Sequence, residues 1–252
     1  MQQTWRLFDR LASSYDEVVP FFASFGRSIV SALDPPPGCR FLDLGAGRGA
    51  LTDPALARGC RVTAVDAAPG MTERLAAAYP SATVLTFSLG FSDELPLPAA
   101  SFDLVAAAFV VHVLDDPAAA VASAHRVLAP GGRFAMTGGG HPSSGFVSGL
   151  DDLFATFTPH LPPGGSMGAL RPPAALLAGF DDVHEVIVTS EVHIPDNDVL
   201  WRWVMSRGYR AFVEDLPPGP RASFEDHVRE LPLGDGMLRR SSSLWIGTKP
   251  SG

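Results

Sequence analysis

Three glycines alternate with other residues over positions 45–49, directly after the short apolar segment 41–44. This pattern is typical of a buried strand that turns sharply into a helix. Glycine suits such a turn because it adopts positive φ and because its missing side chain lets a ligand lie against the backbone. The segment is a candidate cofactor cradle, but Gly45-x-Gly47-x-x-Ala50 also fits the loose dinucleotide fingerprint, and glycine-rich turns have purely structural roles too.

A second candidate is Asp66, which ends a predicted strand over residues 61–65. It follows Gly47 by about 20 residues, the distance at which an acid can accept hydrogen bonds from ribose hydroxyls. In an open parallel sheet, ligands bind beyond the carboxyl ends of the strands, which is where this carboxylate is expected. The alternative is an ordinary helix cap or turn residue.

A strand–helix rhythm surrounds these residues. Apolar segments predict five strands, at residues 40–44, 61–65, 82–87, 102–109 and 133–138. Helices are predicted between them, at residues 50–58, 69–79 and 117–128, and a Pro-Gly-Gly turn at residues 130–132 precedes the fifth strand. We therefore expect an α/β fold with a doubly wound, mainly parallel sheet.

The two ends of the chain depart from this rhythm. Residues 4–33 carry apolar side chains three and four positions apart, which predicts two amphipathic helices with a break at Pro20. Beyond residue 138 we expect helices at 150–157 and 174–179, a strand at 183–194, helices within 196–231 and a last strand at 243–248.

Composition narrows the class of protein. A chain of 252 residues with 46% hydrophobic and 18% charged residues suits one large α/β domain. The net charge of -8 argues against a nucleic-acid partner. The longest apolar run, residues 104–111, is far too short to span a membrane, and we expect a soluble, cytoplasmic protein. Cys39 and Cys60 match no zinc or redox spacing, so no metal site is expected and both are predicted to be core residues.

Several ordered motifs share a resemblance to one family. They are residues 41–49, residues 65–67 with Met71, Leu-Pro-Leu-Pro at 95–98, Ser-Phe-Asp-Leu-Val at 101–105, His112, and residues 126–134. Together they resemble class I S-adenosylmethionine-dependent methyltransferases, in the branch of the ubiquinone/menaquinone-biosynthesis and natural-product methyltransferases. The resemblance covers roughly residues 5–140. It favours S-adenosylmethionine over the nicotinamide cofactor that the glycine turn alone also allows.

The resemblance implies a seven-stranded Rossmann-like sheet and a set of residues around the cofactor. The glycine turn would hold the amino-acid end, Asp66 the ribose, and Tyr15 the cofactor carboxylate, unless it is a packing tyrosine. The implied cofactor-binding residues are Tyr15, Asp43, Gly45, Ala46, Gly47, Asp66, Ala67, Met71, Phe91, Ser92 and Phe109.

One position departs from the family pattern. Phe91 stands where the family has an Asp that accepts a hydrogen bond from the adenine amino group. Phe91 cannot accept that bond. It either stacks on the purine, with Ser92, Asp93 or a main-chain group accepting instead, or it packs elsewhere and adenine affinity is lower.

Methyl transfer from a sulfonium depends mainly on alignment, because the leaving thioether is neutral. A base is required only where the acceptor must lose a proton. His112, just past the fourth strand, and His141, after the fifth, are the candidate bases, because an imidazole titrates near pH 6.5. His112 is alternatively a structural histidine, and His160 and His193 are expected at the surface or in packing roles.

The resemblance also predicts the organisation of the chain. We expect a single domain with an N-terminal helical lid (1–38), a cofactor-binding half (39–140) and a substrate-side half (141–252) that carries a helical insertion at about 196–231. Trp201, Met205, Tyr209 and Phe212 lie at helical spacing in that insertion, as core residues or as an apolar roof over the acceptor.

The resulting prediction is methyl transfer to a small, hydrophobic or aromatic acceptor, by a monomer or homodimer. Two alternatives remain: a catalytically silent relative that binds the cofactor or a partner, and, more remotely, a nicotinamide oxidoreductase.

Overall fold

The computed structural model describes residues 5–88, 95–114, 116–140, 149–162 and 173–251. Its centre is a seven-stranded sheet with the spatial order β3-β2-β1-β4-β5-β7-β6. The strands are β1 (Arg40–Leu44), β2 (Arg61–Asp66), β3 (Thr83–Thr86), β4 (Phe102–Ala107), β5 (Leu128–Gly140), β6 (Asp181–His193) and β7 (Met237–Thr248). β7 runs antiparallel to both of its neighbours, whereas the pairs from β3 to β5 are parallel. The predicted doubly wound, mainly parallel α/β fold is confirmed.

The central strands are buried because their sequences are apolar on both faces. In β1, Phe41 and Leu42 are fully buried, and Phe41 pairs in register with the buried Leu104 of β4. Such two-sided burial requires helices on both faces of the sheet. The crossovers are α3 (Thr52–Ala57), α4 (Pro69–Ala78) and α5 (Pro117–Val127), with a 3₁₀ turn at Val111–Val113 before α5. This winding brings the carboxyl ends of β1, β2 and β4 to one edge.

Two helices precede the sheet, α1 (Trp5–Leu11) and α2 (Phe21–Leu33). The Asp16 carboxylate accepts hydrogen bonds of 2.8 Å from the main-chain N–H groups of Phe22 and Ala23, and so satisfies two donors at the start of α2. α1 is fixed to the sheet side by Asp9, whose carboxylate accepts a 2.7 Å bond from the N–H of Gly70 in α4. Both predicted N-terminal helices are therefore present, and α1 lies close to the end of β2.

The helices after β5 are α6 (Leu150–Phe157), α7 (Pro173–Leu176), α8 (Asn197–Met205), α9 (Tyr209–Asp215) and α10 (Pro218–Glu230). A second 3₁₀ turn, Thr158–His160, follows α6. α6, α8, α9 and α10 pack through an aromatic cluster in which Phe154 lies 4.7 Å from Tyr209 and 4.9 Å from Phe212, measured between ring centroids. No helix in the described ranges is both long and apolar enough to cross a membrane.

Two local expectations differ from the structure. The Pro-Gly-Gly turn predicted at 130–132 is a bulge inside β5, because β5 pairs with β4 at Leu128 and again from Arg133, and Gly131 bonds to Lys249 beside β7. The side chains predicted at one helical spacing from Trp201 to Phe212 lie on two helices, since α8 ends at Met205 and α9 begins at Tyr209. Cys39 and Cys60 are buried, as predicted.

Candidate cofactor site

The glycine turn leaves β1 with all three glycines at positive φ. Gly45 and Ala46 donate main-chain hydrogen bonds of 2.8 and 3.0 Å to the carbonyl of Val65, which ties the turn to β2. A β-carbon on Gly45 would lie 2.1 Å from Cγ2 of Val110, and its φ is +73°. Two constraints therefore require glycine at position 45: the positive φ of its backbone and the close approach of the segment after β4.

Asp66, at the end of β2, accepts hydrogen bonds on both carboxylate oxygens. Oδ2 accepts from the N–H of Gly47 at 2.8 Å, and Oδ1 accepts from the N–H of Ala68 at 2.9 Å. Burial raises the pKa of this carboxyl group, although the two N–H donors oppose the shift. An ionised carboxylate has about four acceptor positions, so both oxygens keep capacity for further donors such as hydroxyls.

Asp43 lies beneath the turn and is almost completely buried. Its Oδ2 accepts a 2.7 Å hydrogen bond from the hydroxyl of Thr52, the first residue of α3. Burial raises the pKa of Asp43 to about 7, because the charged form is poorly solvated there. The contact links the last part of β1 to the helix on the far side of the turn.

Two open cavities meet at the turn. The Asp66 cavity, of about 760 Å³, is lined by Asp66, Ala67, Met71 and the apolar side chains of Trp5, Phe8 and Phe87. The Asp43 cavity, of about 660 Å³, is lined by Asp43, Ala46, Asp16, Phe22 and Arg48. Both cavities share Tyr15, Gly45, Gly47, Ala108 and Phe109. The nine predicted cofactor residues that the structure describes therefore all line one cavity or both.

Phe109 stands where the two cavities join, with a φ of +59°. This left-handed conformation is strained for a bulky residue and concentrates at functional sites. Its N–H donates a 2.7 Å hydrogen bond to the hydroxyl of Thr137 in β5, and its ring packs 5.0 Å from Phe25 and 5.4 Å from Phe22. These contacts hold the ring over the turn.

Tyr15 covers the same junction from the N-terminal side. Its ring stacks on Phe22 with centroids 5.0 Å apart and planes 7° from parallel, and its carbonyl accepts a 3.0 Å bond from Arg48. Burial raises the pKa of the Tyr15 hydroxyl above its ordinary value, so it stays protonated at neutral pH. The side chain is thus a neutral donor beside the glycine turn.

The histidines are placed differently from the cofactor residues. His112 lies in the 3₁₀ turn after β4 with an exposed side chain, and it lines neither cavity. His160 and His193 are also exposed. His141, Phe91 and Ser92 lie outside the described residues, so their predicted roles remain predictions.

Some residues that line the cavities or support their walls were not identified from the sequence. Phe22 belongs to the apolar stripe of the second predicted helix and shows no separate signal there. Thr137 is the one hydroxyl in the predicted strand 133–138, which is a usable signal, because a polar side chain in a buried strand needs a partner. Trp5 and Phe8 were expected to form a helix face, and both also line the Asp66 cavity.

These features fit S-adenosylmethionine as a cofactor. An apolar cavity suits a purine, a carboxylate with spare acceptor positions suits a ribose diol, and a glycine turn admits a close-lying polar chain. Parallel strands that end around such a cavity are typical of α/β proteins that bind a nucleoside-containing cofactor.

Comparisons with known proteins identify the family. Residues 42–136 match the model of a methyltransferase domain. The chain is 33% identical over 251 residues to nocamycin O-methyltransferase of Saccharothrix syringae, covering 89% of each chain. It is 39% identical over 143 residues to aklanonic acid methyltransferase of Streptomyces sp. (strain C5), covering 54% of this chain and 64% of that relative. The YcgJ protein of Bacillus subtilis shares the fold, with a TM-score of 0.56 at 20% identity over 89% of this chain and 97% of that one.

The chain belongs to the S-adenosylmethionine-dependent methyltransferases. The resemblance drawn from the ordered motifs is confirmed, and so is the choice of S-adenosylmethionine over a nicotinamide cofactor.

Proposed function

We propose that this enzyme transfers a methyl group to a small, hydrophobic or aromatic acceptor by in-line displacement. The observation that supports the proposal most directly is the junction of the two cavities at Phe109, between the glycine turn and an aromatic wall that includes Phe22. Nocamycin O-methyltransferase and aklanonic acid methyltransferase, by their names, act on small natural products, which agrees with this size of acceptor.

In this proposal each part of the junction has one role. S-adenosylmethionine supplies a methyl group on a positively charged sulfur, which needs no further activation. The turn at Gly45 and Gly47 holds the amino-acid end, Asp66 accepts from the ribose, and Ala67 and Met71 contact the adenine. Tyr15 donates to the cofactor carboxylate. The rings of Phe22 and Phe109 exclude water and orient the acceptor, with Phe25 packed behind Phe109, and such alignment can supply on the order of 7 to 11 kcal/mol at best.

A base has a role only where the acceptor must release a proton, as a phenol or other hydroxyl would. His112 and His141 keep that role as proposals. Replacement of His112 by Gln removes its basicity and keeps its size. The variant should lose turnover of a phenol while methylation of a tertiary amine, which releases no proton, stays unchanged.

The domain assignment is part of the same proposal. We propose one methyltransferase domain in which residues 1–38 form the lid and residues 196–231 the insertion on the acceptor side. α1 lies against α4 through the Asp9–Gly70 bond, which supports the lid assignment for the first helix.

The test separates binding from turnover. S-adenosylhomocysteine at millimolar concentration should raise the melting temperature, because a ligand that binds only the native state stabilises it. A panel of phenols, amines and β-dicarbonyl compounds is then assayed for the release of S-adenosylhomocysteine from S-adenosylmethionine. Binding without turnover across the panel would point to a catalytically silent relative, and the absence of any thermal shift would count against cofactor binding itself.

A further inference from the structure

Arg207, in the turn between α8 and α9, is 5% exposed. Its guanidinium carbon lies over several aromatic rings, 4.1 Å from the centroids of Phe21 and Trp203 and 4.4 Å from that of Phe22. The Tyr209 ring is 5.7 Å away. We call this arrangement the Arg207 cage, formed by Phe21, Phe22, Trp203 and Tyr209.

The four rings of the Arg207 cage offer the guanidinium no oxygen atom as a hydrogen-bond acceptor. Across the described ranges, no hydrogen bond from Arg207 and no carboxylate within 4.0 Å of it is found, whereas Arg40, Arg48, Arg58 and Arg240 each pair with an acid. Ring faces attract a cation, but they leave its five N–H donors without acceptors. Burying a charged group whose donors have no acceptors costs free energy. Such a group is expected where a bound anion supplies the acceptors.

The charged and titratable groups around the cage are Asp16, Arg240 and Tyr15, and none of them forms a direct ion pair with Arg207. Asp16 holds the first N–H groups of α2, and Arg240 pairs with Asp151 while it approaches the Tyr209 hydroxyl at 3.4 Å. Tyr15 is neutral, since burial raises its pKa. Burial lowers the pKa of Arg207 to about 10, which still leaves it charged at pH 7. The charge of Asp16 acts on Arg207 from beyond ion-pair distance, and among the described residues no carboxylate bonds directly to the guanidinium.

The cage is joined to the proposed reaction site through one ring. Phe22 lies against the guanidinium, stacks on Tyr15, packs beside Phe109 and lines the Asp43 cavity. Arg207 itself lines neither cavity, so Phe22 is the residue past which an acceptor against this aromatic wall would approach the guanidinium.

From this arrangement we propose that Arg207 binds an anionic oxygen of the methyl acceptor, a carboxylate on a flat ring system, with the planar guanidinium donating to both oxygens. The inference rests on the proposed function and gives its acceptor a chemical class, an aromatic acid. Arg207 acts here in binding and orientation.

The test compares flat carboxylates with their neutral amides. Benzoate and 2-naphthoate are titrated against benzamide and 2-naphthamide in the presence of saturating S-adenosylhomocysteine, with affinity read by calorimetry and by thermal shift. The wild-type chain should bind at least one acid ten-fold or more tightly than its amide. Arg207→Met, which keeps the volume and removes the charge, should abolish that preference, and Arg207→Lys, which loses the planar fork, should weaken acid binding about five-fold. Arg202→Met, on the exposed face of α8, is the matched control and should behave as wild type.

The same variant distinguishes acceptor binding by Arg207 from a packing role and from a contact with the cofactor. If Arg207 only supports packing, Arg207→Met lowers the melting temperature of the ligand-free protein. The proposal expects a melting temperature at or above that of the wild type, because an unpaired charge has been removed.

If Arg207 instead holds the carboxylate of the cofactor, Arg207→Met loses S-adenosylhomocysteine affinity, and the proposal is overturned. Equal binding of acids and amides by the wild-type chain also overturns it. Failure of the wild-type chain to bind S-adenosylhomocysteine would be a failure of the proposed cofactor site, which is visible before any acid is added.

Discussion

The hydroxyl of Thr137 accepts a 2.7 Å hydrogen bond from the main-chain N–H of Phe109, a residue held at a φ of +59°. The bond joins β5 to the segment that leaves β4, and it satisfies a donor that the left-handed backbone directs away from the strand ladder. The ring over the cofactor turn thus depends on a side chain in the neighbouring strand.

Thr137→Val should weaken both fold and cofactor binding, because an isosteric methyl group leaves the N–H of Phe109 without its acceptor. An unsatisfied buried donor costs about 1–3 kcal/mol, to be measured by urea denaturation. Thr137→Ser keeps the hydroxyl and should retain most of the affinity for S-adenosylhomocysteine. Equal stability of the Val and Ser variants would contradict this role.

Asp66→Asn should lower the affinity for S-adenosylhomocysteine by two orders of magnitude or more. The carboxylate of Asp66 accepts hydrogen bonds from the N–H groups of Gly47 and Ala68, and the NH2 group of an amide would face one of these two donors without being able to accept from it. The amide also has fewer acceptor positions for the ribose hydroxyls. Calorimetric titration measures the effect. Asp226→Asn, an exposed acid in α10, should change nothing, and a wild-type affinity in Asp66→Asn would remove Asp66 from the site.

Asp43 should make stability depend on pH between about 4 and 7. The native state keeps its proton up to a pKa of about 7, whereas an unfolded Asp releases it near its ordinary value of 3.8. In this window the native state binds more protons, so stability falls as pH rises and levels off above pH 7.

Asp43→Asn has no such proton and still offers an acceptor to the hydroxyl of Thr52. The measurement is the difference in unfolding free energy between wild type and Asp43→Asn across pH 4 to 8, which cancels the contributions of the other acids. This difference should move in favour of the Asn variant as pH rises. A difference that is independent of pH would show that Asp43 titrates normally.

Gly45→Ala should disrupt the turn, because the added methyl would lie 2.1 and 2.8 Å from the two γ-carbons of Val110 at a φ of +73°. We expect loss of S-adenosylhomocysteine binding and a lower melting temperature. Gly219→Ala, where nothing lies within 4 Å of the added carbon, is the control and should be neutral. Val110→Ala in the Gly45→Ala background should restore stability only in part, since the backbone strain remains.

The sequence predicted what depends on local pattern. The alternation of apolar strands and helices predicted β1 to β4 and their crossovers, and the glycine turn with Asp66 indicated the candidate cofactor site, because both signals are contained in short segments. The Pro-Gly-Gly bulge was predicted as a turn, since the pairing that carries β5 through it comes from strands distant in sequence.

Arg207 shows what local pattern cannot reveal. It lies between Ser206 and Gly208, where a charged side chain is ordinarily at the surface, and its burial arises only when α2 packs beside the turn between α8 and α9. The direction of the His112 side chain is likewise not contained in local pattern: its position after β4 made it a candidate base, and in the 3₁₀ turn its side chain is exposed.

The placement of β7 between β5 and β6 has a consequence for biosynthesis. On the ribosome, β1 to β5 emerge well before β7, so one edge of β5 has no strand partner while α6 to α10 are being made. An open, apolar edge is prone to pair with other chains. This edge of β5 is therefore covered only once β7 has been made, and chains that stop before residue 237 should aggregate even though they contain the glycine turn, Asp66 and Arg207.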